Sequence, residues 1–136
     1  MSPSTASDDE VEVELINGIT VMHYPVNGAL IASERDAVEL VNDAFNAHAQ
    51  LVAVPASRFD DMFFHLSTRI AGEFIQKVVN YRIQLAILGD ISSHVRASSA
   101  LRDFVGESNR GEHVWFLADI AALRERLASA SRQTRG

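Results

Sequence analysis

The sequence predicts a single α/β domain built on one mainly parallel sheet. Three short apolar runs, at 51–54, 85–88 and 114–117, have the length and continuity of strands buried on both faces. Helical patterns separate these runs along the chain, and strands that alternate with helices favour a parallel sheet. With an N-terminal hairpin, the predicted order is β-β-α-β-α-β-α-β-α over residues 10–130.

The hairpin is predicted at the start of the domain. Val11, Val13 and Leu15 alternate with less apolar neighbours, and a second β-rich run follows the dipeptide Asn17-Gly18. Both residues of this dipeptide tolerate a positive φ, which a two-residue hairpin turn requires. We therefore expect strands at 11–16 and 19–24, which adds an antiparallel strand to the sheet.

The first helix is predicted over about 34–48. Ser33 is a good N-cap residue, and Asp36 stands three positions later, where a carboxylate can bond back to the cap. Apolar residues then recur at helical spacing up to Phe45.

The central helical segment is predicted over about 61–81, broken or bent near Ser67. Its second half carries two adjacent apolar rows, which form a stripe suited to lying on a sheet. The rows are Ile70, Phe74 and Val78, and Ala71, Ile75 and Val79. Gly72 interrupts the helix at a cost of about 1 kcal/mol relative to alanine, which suggests close approach of another backbone.

Upstream of this stripe, apolar residues recur at i, i+3, i+4 and i+7. They are Phe59, Met62, Phe63 and Leu66. We expect these side chains to face the core. Phe64 points to a different side of such a helix and is the candidate for an exposed aromatic residue.

The last two helices are predicted at about 94–105 and 119–129, and Gly106 is interpreted as a helix terminator. Residues 1–9 have the composition of a disordered leader, and residues 131–136 that of a flexible tail.

Composition and charge exclude several functional classes. The chain has no cysteine, which rules out disulfides, thiolate zinc sites and cysteine nucleophiles. It shows neither a signal peptide nor an apolar run of about 18 residues, so we expect a cytoplasmic protein without a membrane span. The net charge of −6 divides into −8 over residues 1–49 and +2 over the rest, a distribution that does not favour nucleic-acid binding but leaves it open.

The first candidate surface is the start and polar face of the central helix. It comprises Ser67, Thr68, Arg69, Glu73, Gln76 and Lys77. Lys77 is the only lysine among twelve basic residues. A solvated face with Arg69–Glu73 and Glu73–Lys77 ion pairs is one interpretation. A docking surface for another protein is the other.

The second candidate is a polar crevice at the carboxyl ends of the strands, where α/β sheets bind ligands. Its residues are Asp60, Asp61, Asp90, Ser92 and His94. Some of these residues, together with Asp119, also suit the role of helix caps. Asp61 and His65 stand at i,i+4, but a metal normally needs three or four ligands, so we expect no metal site and no cofactor.

The third candidate is a polar run between a helix and a strand, with Glu107, Asn109 and Arg110. It is either a partner-recognition loop or a structural network that joins the end of the helix to the sheet.

The order of elements resembles the STAS domain of bacterial anti-sigma-factor antagonists. In that family a buried strand leads to a helix with a phosphorylatable serine at its start. The corresponding strand here is Leu51 to Val54, and Ser67 or Thr68 lies near the equivalent helix start. The resemblance implies a partner-switching regulator.

The chain is also similar to a family of small uncharacterised bacterial proteins, a domain of unknown function. The similar words include Ala71-Gly72-Glu73, Asn80-Tyr81, Gly89-Asp90 and Glu107-Ser108-Asn109-Arg110-Gly111. The resemblance implies no particular activity.

From these patterns we expect a non-catalytic regulatory or protein-binding module. Its partner is expected to be another protein or a second copy of the chain. The alternative is a small-ligand-binding protein or an enzyme that uses the crevice.

Overall fold

The computed structural model describes residues 11–135 of the 136-residue chain, with side chains described over 11–129. One five-stranded sheet organises these residues, in the order β1-β2-β3-β4-β5. The strands are β1 (Glu12–Ile16), β2 (Ile19–His23), β3 (Leu51–Pro55), β4 (Gln84–Leu88) and β5 (Val114–Leu117). Only β1 runs antiparallel to its neighbour. The predicted α/β class, single sheet and N-terminal hairpin are confirmed.

Five helices surround the sheet. They are α1 (Glu34–Ala47), α2 (Ile70–Asn80), α3 (Ser92–Ala97), α4 (Ser99–Arg110) and α5 (Ile120–Arg135). Three short 3-10 turns lie between β3 and α2, at Ala56–Arg58, Asp61–Phe64 and Leu66–Thr68. No helix of the described residues is both long and apolar enough to span a bilayer.

The sheet has two unequally covered faces. Alternate strand residues such as Val52 and Leu85 pack against α1, α2 and α4, which form the three-helix face. The residues between them, such as Leu51 and Trp115, pack against Leu123 and Leu127 of α5, on what we call the α5 face. Because the strand order follows the chain order, right-handed crossovers place the connecting helices on one side.

The hairpin turn forms as predicted. Asn17 has φ 50° and Gly18 has φ 85°, and Ile16 pairs with Ile19 across the two-residue turn. On the α5 face, Glu14 of β1 and Arg124 of α5 form an ion pair, with 2.6 Å between the carboxylate Oε2 and the guanidinium Nη1. Since α5 follows β5 in the chain, this side-chain contact links the helix to the opposite edge of the sheet.

The helical segment predicted over about 61–81, broken or bent near Ser67, is an α-helix only in its second half, from Ile70 to Asn80. The first half forms two 3-10 turns, Asp61–Phe64 and Leu66–Thr68, and Asp60 accepts a 2.9 Å hydrogen bond from the Met62 N–H at the start of the first of them. A tighter turn changes which side chains share a face. Phe64, expected to be exposed, is only 4% exposed, whereas Met62, expected in the core, is 48% exposed.

The predicted helix over 94–105 is two helices. Ser98 separates α3 from α4, because its hydroxyl caps α4 by accepting a hydrogen bond from the Leu101 N–H at 3.1 Å. Gly106 lies inside α4, so its interpretation as a helix terminator is wrong. The helix continues to Arg110, which places the predicted polar connector in its last turns.

The predicted leader, residues 1–9, lies outside the described residues. Helix α5 extends to Arg135, into the range predicted as a tail.

Candidate functional site

The start of α2 presents two neighbouring hydroxyls in different situations. The Thr68 hydroxyl donates to the His65 carbonyl at 2.7 Å and accepts from the Ile70 N–H at 3.3 Å. These bonds hold the chain in its turn into the helix. Ser67 is exposed, and within the described residues its hydroxyl makes no hydrogen bond. Of the two predicted hydroxyls, only Ser67 is available to other molecules.

Arg69 makes the sharp entry into α2 possible. Its φ of 68° lies in the left-handed region, which is uncommon for a residue other than glycine, and its carbonyl accepts from the Glu73 N–H at 3.0 Å. The side chain stays exposed beside Ser67.

Lys77 does not belong to the open polar face. Its ammonium group lies 3.4 Å from Glu34 of α1, and its side chain is partly buried between the two helices. Among the described residues, neither Arg69–Glu73 nor Glu73–Lys77 forms an ion pair, so both predicted pairs are wrong. Packing of α1 against α2 offers Lys77 a nearer carboxylate than its own helix does.

Gly72 lies on the exposed side of α2. A methyl group placed on its Cα would meet no heavy atom within 4 Å. No described part of this chain therefore makes the close approach that the sequence suggested, and the approach of a partner's backbone stays a prediction. Ser67, Arg69, Gly72, Glu73 and Gln76 remain exposed together, and we call these five residues the α2 surface.

The predicted crevice forms at the carboxyl ends of β3 and β4. It is a cavity of about 280 Å³, lined among others by Asp61, Phe64, Asp90 and His94. The His94 ring stacks on Phe64 with 4.5 Å between ring centroids, and its Nε2 lies 4.0 Å from Asp61 Oδ1. Asp60 and Ser92, also predicted here, do not line the cavity.

Local hydrogen bonds shape the mouth of the crevice. Asp90 accepts a 2.9 Å bond from the Ser92 N–H, and its hydrogen bonds with Ser92 lower the pKa of the Asp90 carboxyl. Gly89 has φ 145°, and a side chain there would come within 2.9 Å of the Ala56 methyl group. This glycine lets the β4 end approach the turn after β3. Within residues 11–129, no three histidine or acidic side chains are grouped to hold a metal ion.

Asn109 has a structural role. Its carboxamide accepts from the Phe116 N–H at 2.7 Å and donates to the Phe116 carbonyl at 3.2 Å. Arg126 donates to the Asn109 carbonyl and lies over the Trp115 ring at 4.5 Å from its centroid. The predicted alternative of a structural network therefore describes Asn109, while Glu107 and Arg110 stay exposed in the last turns of α4.

A groove between α2 and α4 was not predicted. It measures about 460 Å³ and has an apolar floor of Ile75, Val79, Phe104 and Val114. Gln76 and Glu107 lie on its rim, so two separately predicted surfaces meet here. Only the packing of the helices shows this, because the two residues lie far apart in sequence.

Arg58 is the one buried charged residue among those described. Its guanidinium donates to the carbonyls of Pro25, Asn27 and Ala29 at 2.7 to 3.3 Å. It also lies 5.5 Å from the centroid of the Tyr24 ring. These contacts hold the loop after β2 against the turn after β3.

The family model described as a domain of unknown function, DUF4180, matches residues 16–127. This range covers most of the chain, which therefore belongs to that family. No curated protein and no solved structure matches the chain.

Proposed function

We propose that this member of the DUF4180 family is a non-catalytic, regulatory protein-binding module that docks through the α2 surface. The observation that carries the proposal is the presence of a glycine, Gly72, at an exposed position inside α2. A glycine inside an exposed helix destabilises it by about 1 kcal/mol relative to alanine. No contact within the described residues requires it. A partner whose backbone approaches α2 closely would require it.

The residues around Gly72 suit a protein partner. Arg69 and Glu73 are exposed and of opposite charge, and neither is held in an ion pair within the described residues. Gln76 is tied to Asn80 of its own helix by a 2.8 Å hydrogen bond, which fixes its carboxamide at the edge of the surface. The adjoining groove offers apolar area next to these polar groups, as protein interfaces commonly do.

Ser67 supports a regulatory form of the proposal. A phosphate on its hydroxyl would add nearly two negative charges beside Arg69 and the start of α2, where the helix dipole favours an anion. The added charge would change how the surface binds an acidic or basic partner. The succession of a buried strand, β3, and a helix with a hydroxyl at its start is also the arrangement of the STAS resemblance, which supports partner switching in a bacterial cytoplasm.

We expect Ser67→Asp to change the amount of protein that the purified chain captures from its native extract, because the new carboxylate lies on the proposed contact surface. Quantitative mass spectrometry of the captured proteins measures this. The matched control is Ser93→Asp, which adds the same charge at an exposed serine of α3. Gly72→Ala should unfold at higher urea concentration than the wild type and still capture less partner.

The combination of greater stability and weaker capture separates an interface from a folding defect. If Ser67→Asp and Gly72→Ala both capture the same proteins in the same amounts as the wild type, the α2 surface is not the docking site. If Gly72→Ala destabilises the chain, the argument from this glycine fails.

A second candidate function is small-ligand binding in the crevice, favoured by the cavity at the carboxyl ends of β3 and β4. Its stacked Phe64–His94 pair gives a flat aromatic wall beside the carboxylates of Asp61 and Asp90. This combination suits a ligand with a planar apolar part and a positive charge.

A thermal-shift screen with nucleotides, aromatic amines and divalent metals tests the second candidate. A ligand that binds only the folded chain raises its melting temperature, by more at higher ligand concentration. The shift should disappear in Asp61→Asn combined with Asp90→Asn, since both side chains are exposed and their amides preserve shape. A shift of equal size in this double variant would place the ligand elsewhere.

A further inference from the structure

The outward backbone groups of the two edge strands differ in whether they are hydrogen-bonded. At the β5 edge, the Asn109 carboxamide pairs with both backbone groups of Phe116, as a neighbouring strand would. This pairing blocks the addition of a strand there. At the β1 edge, no side chain or backbone within the described residues makes such a contact.

The backbone groups that β1 turns outward can be identified from its register. The pair Ile16–Ile19 closes a two-residue turn and is hydrogen-bonded, so the bonded pairs alternate from there. Val13 and Leu15 therefore direct their N–H and C=O groups away from β2. On the partner strand, the Thr20 carbonyl faces β3, where it accepts from the Gln50 N–H at 2.8 Å, as this alternation requires.

The residues with outward backbone groups also carry exposed apolar side chains. Val13 is 51% exposed and Leu15 is 71% exposed, although both are on the three-helix face. Helix α1 covers their neighbour Met22 and leaves them uncovered. A strand added to β1 would place its own apolar side chains beside them on this face.

The acidic side chains near β1 favour pairing with a positively charged strand. Glu12 lies on the α5 face of β1, is exposed, and forms no ion pair within the described residues. The flank of α1 next to Tyr24 carries Glu39 and Asp43, of which Asp43 accepts from the Tyr24 hydroxyl at 2.8 Å. Opposite charges on neighbouring strands attract, and like charges directly opposite destabilise the pairing.

A second copy of the chain would bring its own acidic N-terminal half to this edge. Residues 1–49 hold nine acidic residues and one arginine, so a symmetric edge-to-edge dimer places like charges together. We propose that the β1 edge binds an extended segment of a partner protein in which apolar residues alternate with lysine or arginine, as a sixth strand of the sheet. This surface is separate from the α2 surface.

Peptide binding tests this proposal on the full-length chain. The probes are a peptide of about ten residues alternating valine and lysine, and its counterpart alternating valine and glutamate, both with blocked termini. NMR of the isotope-labelled protein should show the lysine peptide shifting the amide signals of Val11, Val13 and Leu15. The glutamate peptide should bind at least about ten-fold more weakly.

Two variants locate the contact. Val13→Pro removes an outward N–H that β2 does not use, and it should weaken the lysine peptide about ten-fold while the chain stays folded. Glu12→Lys should reverse the preference in favour of the glutamate peptide, and it changes only an exposed side chain.

Each contrary result is recognisable. Equal binding of the two peptides, shifts confined to other residues, or binding unaffected by Val13→Pro would overturn the proposal. A dimer detected by light scattering and abolished by Val13→Pro would show that a second copy occupies the edge. None of these results bears on Ser67 or Gly72, so the two proposals fail independently.

Discussion

Replacing Phe74 with alanine is expected to lower the free energy of unfolding by about 3–5 kcal/mol. Phe74 is fully buried where α2 meets the three-helix face. Its ring contacts Phe59 and Phe63 edge to face, with 5.7 Å between centroids in both pairs. Alanine would leave a cavity among rings that cannot close over it, because Phe59 and Phe63 also pack on one another at 4.3 Å.

Urea unfolding monitored by circular dichroism measures this loss. Phe45→Ala is the matched control, since Phe45 is half exposed on α1 and packs mainly against Tyr81. We expect the control to cost less than about 1.5 kcal/mol. Equal losses in the two variants would contradict the described packing of the aromatic cluster.

Arg58→Ala is expected to cost about 2–4 kcal/mol, the second largest effect. The side chain is buried and satisfies three backbone carbonyls of the loop after β2 at once. Without the guanidinium these carbonyls lose a charged donor. Arg58→Lys should recover only part of the loss, because an ammonium group cannot reproduce the planar fork that bonds several carbonyls.

Hydrogen exchange adds a readout specific to this contact. In Arg58→Ala, amide protons of residues 26–32 should exchange faster, while those of β3 and β4 keep their order of protection. Arg102→Ala, at an exposed arginine of α4, serves as the control and should change the free energy of unfolding by less than about 0.5 kcal/mol. Uniform acceleration across the chain would indicate global destabilisation and contradict a local role for Arg58.

Elements with a strong local signal could be predicted from the sequence. The hairpin depended on Asn17-Gly18, whose positive φ values are a property of those two residues. The strands β3, β4 and β5 appeared as continuous apolar runs because they are buried on both faces. Their boundaries differ from the prediction by no more than one residue.

The 3-10 segment before α2 could not be predicted in the same way. The spacing of Phe59, Met62 and Phe63 fits an α-helix as well as it fits a tighter turn. What decides between them is the aromatic cluster formed with Phe74 and the cap supplied by Asp60. These contacts exist only once the sheet and α2 are assembled.

The candidate site likewise has one part that the sequence pattern predicts and another that depends on contacts between distant residues. Asp61, Asp90 and His94 of the predicted crevice line one cavity, because the carboxyl ends of parallel strands share an edge of the sheet. The pairing of Lys77 with Glu34, and of Arg58 with the loop after β2, joins residues about 30 or more positions apart, and no pattern within one element predicts either pair.

The agreement between strand order and chain order has a consequence for biosynthesis. Each strand's only upstream neighbour in the sheet is the strand translated just before it. The sheet can therefore form strand by strand from its N-terminal hairpin as the polypeptide leaves the ribosome, because each new strand pairs with the one synthesised just before it. Helix α5 emerges after all five strands and contacts the first of them through Arg124 and Glu14. Until α5 docks, Leu51, Ala53 and Trp115 remain open to water, so in this part of the chain the nascent sheet is most exposed to chaperones and aggregation just before that helix packs on it.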